Sequence, residues 1–223
     1  MKNCLLLFAV MGAITISAPA YSQYLFLDTN GDGKSSMNPY ERDYVPADIL
    51  YSTTTSIDVY FVTDKNPDGT AAVCGTGEPD FKINSYEFIL THSGYGGSVQ
   101  YGAWTDNMGY SNGGVLCGDS TVCKGGNDVW VAMYKFTYDQ PGKYKIGSLA
   151  VTVTGWPALD FTISTTLHPL AATSFGSSCS GNMGDHTIRL GSDSSADFIY
   201  AFGTTGPIPV TNTTWGKIKM AYK

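Results

Sequence analysis

From Tyr24 onward, short apolar runs recur along the chain, each closed by Gly, Asn, Asp or Pro. "SIDVYFV", "NSYEFILTH" and "VWVAMYKF" are rich in β-branched and aromatic residues and partly alternate, as strands with one buried face do. The pattern predicts strands at about 23–28, 56–63, 82–91, 97–104, 128–138, 144–154, 158–164, 186–190, 197–203 and 207–212. "KIGSLAVTVTG" reads as a core strand that ends at a glycine. Neither a long helical period nor a βαβ rhythm interrupts these runs. The expected fold is therefore all-β: an antiparallel β-sandwich, jelly-roll or cohesin-like, with calcium-type loops.

Two stretches break the pattern. "PYERDYVPADIL" is the best candidate for a helical turn, and Pro46 should end any helix begun at Tyr40. In "TNTTWGKIKMAYK", Trp215, Ile218 and Tyr222 share a helical face, while Ile218, Met220 and Tyr222 alternate as in a strand. Residues 213–223 form an amphipathic terminal segment, either packed on the sandwich or exposed for recognition.

The N-terminus sets the expected compartment. Lys2, the apolar "CLLLFAVMGAITI" and small residues at Ala18 and Ala20 make residues 1–20 a secretory signal peptide, with Cys4 removed alongside it. Residues 21–212 then form a single β-sandwich domain. No later segment approaches the roughly 18 continuous apolar residues of a membrane span. A secreted protein, extracellular or at the cell surface, is expected.

Four cysteines follow the leader: Cys74, Cys117, Cys123 and Cys179. In an oxidising compartment an even count favours disulfides, and three pairings are open. Cys117 with Cys123, across a short Gly-containing loop, leaves Cys74 with Cys179 as a long-range clasp. Zinc is the rival, but no C-x₂-C pair is present.

The formal charge of −6, with 13 Lys and Arg in 223 residues, gives a phosphate backbone little to hold, so nucleic acid is not an expected partner.

Asp, Asn and Gly concentrate after the first two strands as D-x-N-x-D-G. Asp28, Asn30 and Asp32 offer hard oxygen ligands at the spacing of a Ca2+ loop, Gly33 permits the sharp turn, and Lys34 (by its carbonyl), Ser36 and Glu41 extend the shell. Pro39 stands where the closing acid belongs, so Glu41, or a more distant acid such as Asp43 or Asp48, would have to complete the shell. Asp64, Asn66 and Asp68 repeat the spacing, and Glu78 or Asp80 would have to close that loop. The plainer reading is turn chemistry, since Asp and Asn accept backbone hydrogen bonds in loops. Two matches after two strands favour calcium, as a clamp that stabilises the folded chain.

"YLFLDTNGDG", followed by "TSIDVYFVTDKNPDG" and "INSYEFIL", resembles a group of exported bacterial proteins. Residues 56–164 look like a cohesin-like or carbohydrate-binding-like β-sandwich, Ser85-Tyr86-Glu87-Phe88 matching a core strand and Ile146 to Val153 a later one. Asp28, Asn30, Asp32 and Gly33 resemble a dockerin repeat. The resemblance implies partner binding.

Catalytic spacing is not evident. His92, His168 and His186 are scattered, and "GSSCSG" departs from G-x-S-x-G. Glu78, Glu87, Asp128, Asp139 and Asp160 are acids that folding could pair for glycoside hydrolysis, against a plainer reading as solvated residues. Tyr95, Tyr101, Trp104, Asn107 and Tyr110 form the candidate ligand-binding stretch. Trp130 and Trp156 are expected in the core. Tyr101 and Trp104 would need a bulge between them to share a face. The expected function is binding a protein partner, or self-association in a surface assembly, with an extracellular glycan as the alternative ligand.

Overall fold

A computed structural model describes residues 23–41, 45–72, 82–93, 96–117, 128–162, 173–177, 187–190 and 198–204. Eleven strands occur in them: β1 Tyr24–Asp28, β2 Ser56–Val62, β3 Ile83–Ser93, β4 Gly97–Asp106, β5 Ser111–Cys117, β6 Asp128–Asp139, β7 Lys143–Gly155, β8 Ala158–Thr162, β9 Ser174–Ser177, β10 Thr187–Leu190 and β11 Phe198–Phe202. No helix among the described residues is long and apolar enough to cross a membrane.

The hydrogen-bonded order is β4-β7-β2-β1-β11-β10-β9-β3-β6-β5, with β8 beside β3. This ribbon of strands folds over into a sandwich-like pair of layers. The β4-β7-β2-β1 layer pairs antiparallel throughout, as does the β9-β3-β6-β5 layer. β11 joins them by pairing parallel with both β1 and β10. The all-β expectation holds, and the parallel pairs are the departure from a purely antiparallel sheet.

Alternation decides what fills the interior. In β2, Ile57, Val59 and Phe61 point inward, while Asp58 and Tyr60 face away. In β6, Val129, Val131 and Met133 are buried, whereas Trp130 and Tyr134 have the opposite parity. The two layers meet at Phe61 and Phe175, whose rings stand edge to face at 4.6 Å, and at Phe88 and Trp104 at 5.3 Å. Such edge-to-face contacts suit the charge distribution of aromatic rings and fix the layers against each other.

A smaller cluster of Tyr24, Phe26 and Val62, with Tyr60 and Phe202, lies on the other side of the first layer. The ammonium of Lys143 sits 5.2 Å from the Phe26 ring centroid and donates to the Gly33 carbonyl. The loop after β1 is thus drawn back over the sheet.

β5 and β9 escaped the sequence pattern. "SNGGVLC" carries two adjacent glycines and a register shift between Asn112 and Gly114, and "SFGS" is only four residues long. The helical candidate at residues 39–50 forms no helix where it is described: residues 39–41 are a turn, and residues 45–50 are a bend followed by irregular backbone with a bridge position at Ile49. The leader, the strand expected at 207–212 and segment 213–223 lie outside the described residues.

Candidate functional site

The two Asp-Asn-Asp loops are built from backbone hydrogen bonds. Asp28, 1 % exposed, accepts the N–H groups of Asn30 and Gly31 on Oδ1 at 3.0 and 2.7 Å, and that of Gly33 on Oδ2 at 2.7 Å. Asn30 Oδ1 accepts from Asp32 N, Asp32 Oδ1 from Lys34 N, and Glu41 Oε2 from Ser35 N. Ser36 does not face a shared centre: its hydroxyl accepts from Asp48 N, and its own N–H donates to Asp48 Oδ2. Burial raises the Asp48 carboxyl above its ordinary range, against the hydrogen bonds from Ser36 and Thr29, and the Asp28 charge adds to the rise.

In the second loop, Asp68 accepts the N–H and hydroxyl of Thr70, while Asn66 Nδ2 donates to Thr70 Oγ1 and Ala71 O. Asp64 Oδ1 and Asn66 Oδ1 are the loop's buried oxygens without a hydrogen bond. Two oxygens fall well short of the six to eight that calcium takes. Asn38 Nδ2 bridges the loops by donating to Pro67 O at 3.1 Å.

The metal-binding expectation is therefore corrected. Among the described residues, no group of three or more His, Cys, Asp or Glu side chains is gathered to hold an ion. The turns use their carboxylates to satisfy backbone donors, which is the plainer chemistry of Asp and Asn in loops. The disulfide expectation is not borne out among the described residues. No disulfide joins described residues; Cys74, Cys123 and Cys179 lie outside them, and Cys117 is described as backbone of β5.

The tyrosine-rich stretch turns mostly inward. Tyr101 and Tyr110 are 3 % and 6 % exposed, and Trp104 packs against the same core. The register shift between Tyr101 and Trp104 does supply the bulge their spacing required, but it aims both rings into the sandwich. Tyr110 donates to Asp139 Oδ2 at 2.6 Å beneath the Lys135 ammonium. Asn107 is exposed on the β4–β5 turn, and Tyr95 lies outside the described residues.

What the stretch lacks, the outward side of β6 provides. Trp130, Ala132, Tyr134 and Phe136 share one parity, and Tyr134 and Phe136 are 42 % and 85 % exposed. Their rings meet edge to face at 5.9 Å. Trp156, also expected in the core, is exposed beyond the Gly155 turn. In register with this stripe, β3 places Ser85 opposite Tyr134 and Glu87 opposite Ala132, while β9 places Ser174 opposite Glu87. Glu87 accepts the Ser174 hydroxyl on Oε1 at 2.7 Å and the Trp130 indole N–H on Oε2 at 3.2 Å.

These residues surround a depression of about 230 Å3, lined among others by Ser85, Glu87, Ala132, Tyr134, Ser174 and Gly176. It exists because the positions beside Glu87 are small. The signal was present in the sequence as the alternation W-x-A-x-Y-x-F, but the apolar Val129, Val131 and Met133 of the other parity mark a core strand, and Trp130 is expected in the core with them.

No family model, no curated protein and no solved structure matches the chain.

Proposed function

We propose that the protein is an exported, non-catalytic β-sandwich module that binds a protein partner across the outward face of β3 and β6. The observation that carries this reading is the pair Tyr134 and Phe136, two large rings held on a regular strand and left open to solvent. An exposed aromatic patch costs hydration free energy, and rings on a rigid strand lose little entropy on contact. Aromatic anchors of this kind are enriched where proteins meet.

Partner binding by strand addition is the less suited mode. The end strands β4 and β5 each contain a register shift, and a bulged edge is a poor template for another strand. Contact across the face requires no free edge. Export rests on the leader-like residues 1–20.

The same face favours a second reading, glycan binding, because a ring platform beside a carboxylate and two hydroxyls suits a sugar as well. A random peptide display library panned on the protein, beside an oligosaccharide array, separates the two. Peptides enriched on the wild type and lost on a Tyr134→Ser/Phe136→Ser variant support protein binding. Enrichment that survives the variant, or array binding with no peptide enriched, overturns it.

A further inference from the structure

We infer that the depression around Glu87 receives a cationic side chain, Lys or Arg, from the partner; the inference rests on the protein-binding reading of this face. Glu87 is held in place by two neutral donors, Ser174 and Trp130, which orient the carboxylate without neutralising it. The described salt bridges join Lys135 to Asp139 and Lys145 to Asp58, so neither lysine compensates Glu87. Each carboxylate oxygen keeps a lone pair after its single hydrogen bond, and a guanidinium fork or an ammonium is the donor that answers both the geometry and the charge.

The wall of the depression has matching chemistry. Tyr134 lines it, and Phe136 meets that ring edge to face. A cation lowered toward Glu87 would pass beside the Tyr134 ring, an aromatic neighbour of the kind that attracts cations. The aliphatic stem of Lys or Arg would lie along Ala132, where a bulkier residue would fill the space. The net charge of −6 draws basic segments toward the protein before contact. A neutral sugar would use the hydroxyls and the ring but leave the Glu87 charge unanswered.

The test is titration of the protein with N-acetyl-arginine methylamide and with its citrulline counterpart, a neutral near-isostere. It is followed by NMR through the Trp130 indole N–H and the amides of Gly113 and Gly176. The arginine probe should shift these signals saturably and bind at least about tenfold more tightly than citrulline, roughly the worth of one partly screened charge pair. Glu87→Gln should reduce arginine to the level of citrulline. Tyr134→Leu, at an exposed ring whose loss leaves the core intact, should weaken arginine without touching signals elsewhere.

Equal response to the two probes, a response unaltered by Glu87→Gln, or no response at these signals overturns the inference. Failure here is distinguishable from failure of the binding reading. Face-dependent peptides without basic residues would sink the cation pocket and leave the module standing. An absence of face-dependent peptides would sink both.

Discussion

The Tyr86 hydroxyl donates a 2.6 Å hydrogen bond to Asp106 Oδ1, tying the middle of β3 in one layer to the end of β4 in the other. Asp106 is shared: its Oδ2 accepts the N–H groups of Met108 and Tyr110 at 3.0 and 2.8 Å, which shapes the turn into β5. Tyr86→Phe removes one donor and should cost about 1 kcal/mol. Asp106→Ala removes the acceptor of three, leaving a hydroxyl and two backbone N–H groups to find water, and should cost about 2–3 kcal/mol. Urea unfolding of both variants checks the order. A larger loss for Tyr86→Phe would mean that ring packing, not the shared carboxylate, joins the layers here.

Buried phenols should resist alkaline titration. Burial raises Tyr86, Tyr101 and Tyr110 well above the ordinary tyrosine value, and the neighbouring carboxylates Asp106, Asp128 and Asp139 respectively raise them further. A raised folded pKa means that the native state favours the neutral phenol. Its stabilising contribution is full below the unfolded value near 10 and is lost as pH rises through the higher folded values. Phenolate absorbance from these three should therefore appear together with the collapse of near-ultraviolet circular dichroism. All tyrosines ionising while the native spectrum persists would contradict the burial of Tyr101 and Tyr110.

How much of this was legible varies with the element. β2 and β6 announce themselves because Ile57, Val59 and Phe61, and likewise Val129, Val131 and Met133, put apolar residues on one parity between turn residues. β5 does not, since Gly113 and Gly114 remove the side chains that alternation needs, and the strand exists through its register with β6. The candidate site divides the same way. The need for a bulge between Tyr101 and Trp104 can be read from spacing, but the direction the bulge turns them depends on the opposite layer, where Tyr86 and Phe88 receive Trp104. The place of Glu87 between Trp130 and Ser174 requires pairings across 43 and 87 residues, which no local pattern encodes.

Asp48 gives the loop after β1 a pH dependence of defined sign. Its folded pKa lies above the unfolded value of 3.8, because burial outweighs the hydrogen bonds it accepts. The group therefore favours folding most below that value and loses the contribution as pH rises through the folded pKa. Asp48→Asn cannot titrate, and it also loses one acceptor at every pH. Wild-type stability minus that of Asp48→Asn should fall between strongly acidic and neutral pH, read from urea midpoints. A flat difference would mean that burial and the hydrogen bonds cancel, and one that grows with pH that the carboxylate is stabilised in place; either would overturn the raised pKa.

Gly147 in β7 should tolerate no side chain. A Cβ there would stand 2.2 Å from Trp104 Cζ2 and 2.5 Å from the Thr105 carbonyl oxygen, so the indole lies directly over the strand. Neither neighbour is the free end of a flexible chain. Gly147→Ala should destabilise by about 1–3 kcal/mol as an overpacking change. The pair with Trp104→Leu should be strongly non-additive, because removing the indole clears much of the clash. Thermal melts of the two single variants and the double variant test this, and simple additivity would place the obstruction elsewhere.

Phe136 should separate stability from binding. At 85 % exposed it contributes little to the fold, so Phe136→Ser should change unfolding free energy by no more than about 0.5 kcal/mol. Five residues earlier on the same strand, Val131 is fully buried between the layers, and Val131→Ala should cost about 1–3 kcal/mol. Peptide binding should respond in the reverse order, falling with Phe136→Ser and holding with Val131→Ala while that protein stays folded. The reversal matters because a ring that serves neither folding nor contact only adds to the risk of aggregation on a strand. Equal peptide binding by wild type and Phe136→Ser would remove the argument for this face, whatever the melts showed.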